Sequence, residues 1–596
     1  MGQKSGSGSH ARVPIEVDGI NVNACANPSC KNFNTPALPS KDDNYAITGT
    51  GKGTSALFCK ACKRHYSIKS NLAVVEELQR FRLASTNKKV FRQDGLCCHS
   101  TDCQNFGLFV SENPSLYKRK GTTSKGNQRY QCKFCGTTFT QGSKKRVNHP
   151  NAKNHQNANL FKLLVNQTGI NRAMEITGLS PQAIYRKIDM FYERCNFFLQ
   201  QREARLRHME IPMMRLCSDR QEYQVNWSQR KDKRFVVISA IGTADKKSRY
   251  VFGMEVNFDE SLNLNELAES GELESDRNLK AFNRKFARIW THHDYAKASQ
   301  VNSKYKSTIK QYVSDYLNNN NIPLSEASLA YIRDKIETEY GIPPIEIDFD
   351  SKLPLSGTLV HSEYTMYAHF YKLRELIGHA DSLRFYLDQE QGINKACCLA
   401  FGDMISKSSC HVAYVGIDKE LTVDQRRFRV ATTKNVVEEM MKNGEALDEH
   451  HAHQILVRNS LQQPHFIRNV KDPWYFIPVH KIYECDKFVC PLTDISSMQM
   501  YDQIKFHLDA SLHPIDNFFQ IVRRRLSLLE RPVHTQSNTG LVWTGKSPYK
   551  PEMVNKLLQI LRTYFNYCYI SKIDGKTPAQ RLGLAKGVVE IRKILY

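Results

Sequence analysis

Two stretches of the chain carry the same spacing of four cysteines. The sequence places them at Cys25, Cys30, Cys59 and Cys62 and again, 73 residues later in each case, at Cys98, Cys103, Cys132 and Cys135. The surrounding letters also echo each other, as CANPSCKNF at 25–33 and CHSTDCQNF at 98–106. Because all three spacings are kept, the pattern indicates an internally duplicated module.

Each copy reads C-x4-C, then 28 residues, then C-x2-C. Four thiolates complete the tetrahedral shell of Zn²⁺ and leave no position for water, so such a site has a structural role. The alternative is a set of buried free cysteines. Since the spacing and its duplication agree, we predict two structural zinc sites, one in each of two zinc-ribbon modules.

The formal net charge of the 596 residues is +24, and the surplus lies at the two ends. Residues 1–200 contribute +17 and residues 501–596 contribute +8, so the middle of the chain is close to neutral. A basic end can be a solvated surface only, but next to metal-binding spacing it favours double-stranded DNA as a partner. The second module offers five candidate phosphate contacts, for each of which a solvated loop is the alternative: Lys118, Arg119, Lys120, Lys125 and Arg129.

The length and the hydropathy of the chain limit its class. A chain of 596 residues exceeds one hydrophobic core and predicts several domains. No apolar run is long enough to cross a bilayer, and the start, MGQKSGSGSH, lacks the apolar segment of a signal peptide. We therefore predict a cytoplasmic, nucleoid-associated protein without a membrane partner, where paired cysteines indicate metal more than disulfides.

A helix-turn-helix is predicted after the second module, from the stretch TGINRAMEITGLSPQAIYRKI at 168–188. Gly178 marks the turn, Ser180 is a suitable N-cap, and Pro181 fits the first helical position. The predicted core consists of Ala173, Ile176, Leu179, Ile184 and Ile188. The exposed face of the second helix would offer four side chains to a DNA major groove, Gln182, Tyr185, Arg186 and Lys187, and a generic helical hairpin is the alternative.

Three extended segments begin near residue 213. The first, MMRLCSDRQEYQVNW, has Asp219 in its middle, and Phe235–Ile241 and Tyr250–Val256 are rich in β-branched and aromatic residues. A carboxylate in the middle of a strand is costly unless it is paired or bound to a metal. Three strands with an acid on the first are the expected start of an RNase H-like sheet.

Two further acids stand at the ends of predicted elements. Asp388 follows the apolar strand Leu383–Leu387, and the end of a strand is where open α/β sheets place ligands. Asp516 opens an amphipathic helix, although an acid at a helix start is often only a partner of the helix dipole. Three distant carboxylates can converge to hold two Mg²⁺ or Mn²⁺ ions about 3.5–4 Å apart. Two turns further on, the helix offers candidate DNA contacts at Arg523, Arg524 and Arg525.

The order of these parts resembles that of DDE/D-type transposases of bacterial insertion sequences. GNQRYQCKFCGTTFT and ITGLSPQAIYRKI are similar to the zinc-ribbon and helix-turn-helix front end of one such group. HPIDNFFQIVRRRLSLLERP is similar to that group's last catalytic helix, and RTYFNYCYI with GKTPAQRLGLAKG is similar to a tail common to many transposases and integrases. The resemblance covers most of the chain in outline and its two ends in specific motifs.

This resemblance implies an RNase H-like catalytic domain in which Asp219, Asp388 and Asp516 hold the catalytic metal ions. It also implies strand cleavage and strand transfer at the ends of a mobile element, by a homo-oligomer that brings those ends together. The last acid is usually Glu in this group, so Glu530 is the alternative third acid. A transposase-derived DNA-binding regulator or scaffold without catalysis is the alternative function.

The expected fold is a multidomain α+β protein. A large, mostly helical insertion is predicted at about 257–380. The predicted domains are zinc-ribbon modules at 1–80 and 81–150, a helix-turn-helix domain at 151–205, an RNase H-like α/β catalytic domain at 206–530, and a basic, helical C-terminal tail at 531–596.

Overall fold

The computed structural model describes most of the chain in separate segments. These are residues 12–40, 42–49 and 55–83, scattered residues between 96 and 113, 114–140 without 125, 154–226, 232, 234–296, 298, 351–417 without 391, 421–465, 472–530 and 547–595. Residues 301–350, in the middle of the predicted insertion, lie outside them. Within the described segments, no helix combines the length and the apolar character that a bilayer crossing requires.

Each cysteine module contains an antiparallel sheet of three strands. In both modules the second strand ends at the first cysteine of the C-x2-C pair, Cys59 or Cys132, so the sheet carries one cysteine pair directly. A helix, α1 (Asn71–Leu83), follows the first module. The strands are β1 (Tyr45–Thr48), β2 (Ala56–Cys59), β3 (His65–Ser67), β4 (Tyr117–Thr122), β5 (Gln128–Cys132) and β6 (Thr138–Thr140).

Three helices follow the second module: α2 (Asn157–Leu164), α3 (Ile170–Thr177) and α4 (Pro181–Glu203). Gly178 ends α3 with a φ of 61°, in the left-handed region that favours glycine. Ser180 caps α4 by accepting a hydrogen bond from the amide of Ala183, as the sequence predicts.

Four of the five residues predicted to form the core of these helices are buried. Ala173, Leu179, Ile184 and Ile188 are buried, but Ile176 is 62% exposed, so its placement in the core was wrong. Ala173 and Thr177, four residues apart, form the inward face of α3, and Ile176 lies off that face.

A seven-stranded mixed sheet forms the centre of the molecule. Its order is β14-β15-β13-β12-β7-β8-β9, with a short separate pair formed by β10 and β11. Strands β7, β8 and β9 form an antiparallel meander, and β12 runs parallel to both β7 and β13. The strands are β7 (Met214–Val225), β8 (Val236–Asp245), β9 (Val251–Val256), β10 (Phe258–Asp259), β11 (Thr358–Leu359), β12 (Leu383–Leu387), β13 (Cys410–Ile417), β14 (Tyr475–Ile477) and β15 (Lys487–Pro491).

Helices surround this sheet. They are α5 (Leu264–Glu269), α6 (Glu272–Arg277), α7 (Ser362–Ile377), α8 (Ile393–Ala400), α9 (Gly402–Ser406), α10 (Val423–Lys442), α11 (Glu449–Ser460), α12 (Met500–Asp509), α13 (His513–Arg525), α14 (Glu552–Tyr567), α15 (Pro578–Leu582) and α16 (Ile591–Leu595). Adjacent residues of β8 face different helices, since Thr243 bonds to His369 of α7 and Gly242 lies under Ile515 of α13. Helices α7 and α13 therefore cover opposite faces of the sheet.

Two helices lie in the segments that the sequence assigns to the insertion and to the C-terminal tail. Helix α7 falls inside the predicted insertion at 257–380, yet most of its residues are buried and it packs on β8 and β9. Helix α14 falls inside the predicted C-terminal tail, yet it packs on α4 and β9 with Phe565, Asn566 and Tyr567 buried. Both helices belong to the core, because their apolar residues close the faces of the sheet.

Candidate functional site

The four cysteines of each module converge. The Sγ atoms of Cys25 and Cys62 are 3.6 Å apart and those of Cys30 and Cys59 are 3.7 Å apart. In the second module the corresponding distances are 3.3 Å for Cys98–Cys135 and 3.6 Å for Cys103–Cys132. Four sulfurs at about 2.3 Å from a tetrahedral Zn²⁺ would be about 3.8 Å apart. Each group could therefore hold a metal ion, as the spacing predicts.

The residues around the sulfurs are duplicated as well. The backbone N–H of Asn32 donates to Sγ of Cys30, and its side-chain NH₂ donates to Sγ of Cys59. Asn105, 73 residues later, makes the same two bonds to Cys103 and Cys132. N–H donors directed at thiolates spread their negative charge and orient them.

In each module a tyrosine forms a hydrogen bond to the asparagine beside the sulfurs. Tyr45 donates its hydroxyl hydrogen to the carbonyl of Asn32, and Tyr117 does the same for Asn105. Sequence reasoning did not assign these four residues. The signal for the asparagines was present, because both lie inside the repeated stretch, whereas the tyrosines are offset by 72 residues instead of 73.

The thiols already differ in their affinity for protons. The hydrogen bond from Cys25 lowers the pKa of Cys62 to about 4, while the pKa of Cys25 is raised. In the second module, hydrogen bonds with Thr137 lower the pKa of Cys135 to about 6. Thiolates are the form that binds metal, so part of each donor set is prepared for a cation.

Asp219 and Asp388 lie side by side on parallel strands. Asp219 is in the middle of β7, and Asp388 directly follows β12. Leu387 pairs with Ser218, and the amide of Asp388 donates to the carbonyl of Ser218 over 3.3 Å. The two carboxylates, 169 positions apart in the chain, are therefore neighbours in the sheet.

Helix α13 brings Asp516 to the same region. Gly242 of β8 pairs with Asp219, and a Cβ placed on Gly242 would lie 2.8 Å from Cδ1 of Ile515. The helix thus packs closely over the strand position opposite Asp219, and Asp516 is the next residue after Ile515. The absence of a side chain at Gly242 permits this close approach.

The raised pKa of Asp219 indicates that several acids lie close to it. Burial raises this pKa well above the ordinary value for aspartate, and the charges of Asp388, Glu390 and Asp516 raise it further. Crowded carboxylates resist ionisation together unless a cation joins them. Glu530, the alternative third acid, follows α13 and is not among these three charges.

Glu390 is a member of this acidic group that sequence reasoning missed. It lies two residues after Asp388 and forms an ion pair with Arg220 at 2.7 Å. Burial and the charge of Asp388 raise its pKa, and Arg220 opposes the rise. The amide of Arg220 in turn donates to Asp219. Its position just after the Leu383–Leu387 strand was the available signal.

The acids are spaced more widely than the cysteines. Among the described residues, only the two cysteine groups bring three or more Cys, His, Asp or Glu ligand atoms within 4.8 Å of one another. Asp219, Asp388 and Asp516 therefore do not form a cage around one ion.

The predicted DNA-contact residues of α4 are only partly exposed. Gln182, Tyr185 and Arg186 face solvent, but Lys187 is 4% exposed and its ammonium donates to the side chain of Asn157. The prediction that Lys187 lies on the open face was wrong. Three and four residues separate it from Ile184 and Phe191, which places it on the buried face of the helix.

The three arginines of α13 have different surroundings. Arg523 lies 2.6 Å from Gln221 of β7, with the Gln221 amide oriented so that its oxygen accepts. Arg525 donates to the side chain of Asn166 over 2.7 Å and stacks on Tyr569. Arg524 is exposed, whereas Arg523 and Arg525 are half-buried and connect parts of the protein. Lys118, Arg119 and Lys120 are all exposed on β4, as predicted.

Comparison of the chain with models of protein families, with curated proteins and with solved structures found no match.

Proposed function

We propose that the protein is a DNA transposase of the DDE/D type, which binds the ends of a mobile element, cleaves a DNA strand there and transfers it to target DNA. The observation that carries the proposal is the convergence of three acids from distant parts of the chain: Asp219 and Asp388 lie on neighbouring strands, and Asp516 lies on helix α13, which packs over those strands. The partial order β9-β8-β7-β12-β13, three antiparallel strands followed by two parallel ones, supports an RNase H-like domain.

The three aspartates would hold two divalent cations, Mg²⁺ or Mn²⁺. Such a pair, about 3.5–4 Å apart, activates the attacking oxygen and stabilises the leaving oxygen, and its ligands need not all touch one ion. Oxygen ligands of this kind suit Mg²⁺, which keeps several waters and substrate phosphates. The wider spacing of the acids is compatible with this arrangement.

The proposed reaction has two steps. Water attacks a phosphorus at the element end, the bond to the 3′ oxygen breaks, and a 3′-OH is left. That hydroxyl then attacks a phosphorus in the target DNA, which joins the strands and releases a second 3′-OH. The protein's contribution is positioning, since Asp219 and Asp388 are fixed by the sheet and Asp516 by α13.

Cleavage and strand transfer on duplexes that carry the element ends, with Mg²⁺ or Mn²⁺, test the proposal. If the proposal holds, inverted repeats that flank the gene would supply these ends. Asp388→Asn is expected to reduce both activities by at least 100-fold, because an amide is a poor ligand for a divalent ion. Asp424→Asn, at a 92% exposed side chain on α10, is the matched control and is expected to act like the wild type. Unchanged activity in Asp388→Asn would refute the assignment of this residue.

The cysteine groups are proposed as structural zinc sites, one per module. Elemental analysis of the purified full chain is expected to give two zinc ions per chain. Cys62→Ser with Cys135→Ser is expected to remove both ions. Retention of two ions in the double variant would contradict the assignment of these ligands.

The alternative is a transposase-derived DNA-binding regulator or scaffold that lacks catalysis. Two observations favour it: the third acid is Asp516 where the resembling group has Glu, and the three acids do not meet within 4.8 Å. The wild type then binds duplex DNA but does not nick it with any divalent ion. Nicking by the wild type that Asp388→Asn abolishes excludes this alternative.

A further inference from the structure

The two cysteine modules share a strand register but differ on one face of the sheet. Tyr45 pairs with Cys59 in the first module, and Tyr117 pairs with Cys132 in the second. These residues point toward the metal-binding sulfurs, so the positions next to them along the strands point to the other side. We call that other side the outer face.

The outer face of the first module is apolar and aromatic. Ala46 pairs with Phe58, and Phe58 pairs with His65. The rings of Phe58 and His65 have their centroids 4.8 Å apart. The remaining outer-face positions of these strands are occupied by Thr48, Ala56 and Ser67, so no strand residue there is lysine or arginine.

The same positions in the second module are polar and basic. Lys118 pairs with Gln131, which pairs with Thr138, and Arg129 pairs with Thr140. Lys118, Lys120 and Arg129 are all exposed. Arg119 lies on the opposite face, beside Tyr117 and Tyr130, and does not belong to this surface.

The first module and its helix α1 pack against the helices and strands of the seven-stranded sheet. Helix α1 packs along α7, and Lys69 forms an ion pair with Glu363 of α7. Half-buried Arg80 donates to the carbonyl oxygens of Val256 and Phe258, at the end of β9 and the start of β10. The side chain of Asn34 lies against Gly402 of α9, where an added Cβ would be 2.4 Å away.

The second module has its own small core instead. Among the residues that the structure describes, Cys98, Cys103, Cys132, Tyr117 and Phe139 form a buried cluster that is separate from the main core. The cysteines of the first module, by contrast, are part of that main core. One copy is therefore integrated into the central domain, and the other retains an independent core and a cationic outer face.

We infer that the duplicated modules have divided their roles: the second module binds the phosphate backbone of duplex DNA through Lys118, Lys120 and Arg129, and the first module is a structural brace that does not bind DNA. The inference rests on the proposed DNA-binding function and assigns it to one copy. Three cations among polar side chains suit phosphates and provide no apolar anchor for a protein partner. The contact is independent of base sequence and sensitive to salt.

Duplex affinity of the full chain, measured by fluorescence anisotropy at several salt concentrations without divalent ions, tests this division. The triple variant Lys118→Ala, Lys120→Ala, Arg129→Ala is expected to lower the slope of log affinity against log salt by about 2.7, since each phosphate contact contributes about 0.9. The matched control removes three exposed lysines of the first module, by Lys31→Ala, Lys60→Ala and Lys63→Ala. It is expected to leave the slope unchanged, and zinc content confirms that both variants retain their modules.

Equal losses in the two triple variants, or an unchanged slope in the second-module variant, would overturn the division of roles. These outcomes are distinct from a failure of the proposed function. If the wild type nicks duplex DNA while the second-module variant binds normally, the enzyme stands and this inference fails. If the wild type does not bind duplex DNA at all, both proposals fail.

Discussion

At the scale of single residues, the candidate site is defined by negative charges that repel one another. Asp219 is buried on β7 and faces the negative charges of Asp388, Glu390 and Asp516. Such a residue destabilises the metal-free fold, because its ionised form is disfavoured there. A cation that binds the acids removes this cost, so metal binding and stability are linked at this position.

The raised pKa of Asp219 gives a pH-dependent prediction. An acid whose pKa is higher in the folded state holds its proton more tightly there, so its effect on stability becomes unfavourable as pH rises above about 4. Asp219→Asn is therefore expected to raise the free energy of unfolding of the metal-free protein at pH 7, by on the order of 1 kcal/mol. Thermal unfolding at pH 4 and pH 7, with and without Mg²⁺, measures it.

The control for this experiment is Asp424→Asn, which is expected to leave the unfolding midpoint unchanged at both pH values. Mg²⁺ is expected to stabilise the wild type and to have little effect on Asp219→Asn. A variant that is less stable than the wild type at pH 7 without metal would contradict the account of Asp219.

At the scale of elements, the sequence was informative where the local pattern also determines the structure. Leu383–Leu387 is a strand with the predicted ends, and the turn at Gly178 with the cap at Ser180 is present, because apolar runs and caps are local signals. The packing of α7 and α14 on the sheet could not be predicted from local patterns, since it depends on distant partners. The seven-strand order and the place of Glu390 beside Arg220 could not be predicted for the same reason.

A substitution at Gly242 would test the contact between α13 and the sheet. A Cβ there would lie 2.6 Å from the sulfur of Met254 and 2.8 Å from Cδ1 of Ile515, so Gly242→Ala should push α13 outward. We expect a loss of about 1–3 kcal/mol in stability, as for other overpacked cores. We also expect reduced cleavage, because Asp516 moves with the helix.

Gly587→Ala is the control, because nothing lies within 4 Å of its added Cβ. Thermal unfolding and the cleavage assay on both variants measure the effect. Wild-type stability and cleavage in Gly242→Ala would show that α13 does not need this close approach.

At the scale of the whole molecule, the first module, the central sheet and the C-terminal helix α14 share one core. A buried carboxylate at Glu77 joins α1 to the rest. It accepts hydrogen bonds from Arg80 at 2.9 Å, from Arg288 at 3.2 Å and from Thr365 of α7 at 3.1 Å. Arg288 also bonds to Asp259 of β10, so one charge network connects three parts of the chain.

Removal of Glu77 should loosen the first module. Glu77→Ala leaves Arg80 and Arg288 buried without this partner, which costs about 3–5 kcal/mol in comparable cases. The expected result is a lower unfolding midpoint and faster hydrogen exchange in α1. Glu76→Ala is the neighbouring control, since its side chain is 36% exposed and its contact with Arg288 is 3.6 Å long. Equal stability of the two variants would argue against the network.

Helix α4 has a geometric consequence for any DNA substrate. Its first turn presents Gln182 and Tyr185 to solvent, and its last residue, Glu203, is buried in an ion pair with Arg562 of α14. A rigid rod of 23 residues is about 35 Å long, close to the rise of ten base pairs. If the exposed end binds a stretch of duplex, as the proposed function requires, the length of α4 fixes how far that stretch lies from α14 and β9, where the buried end of the helix is held.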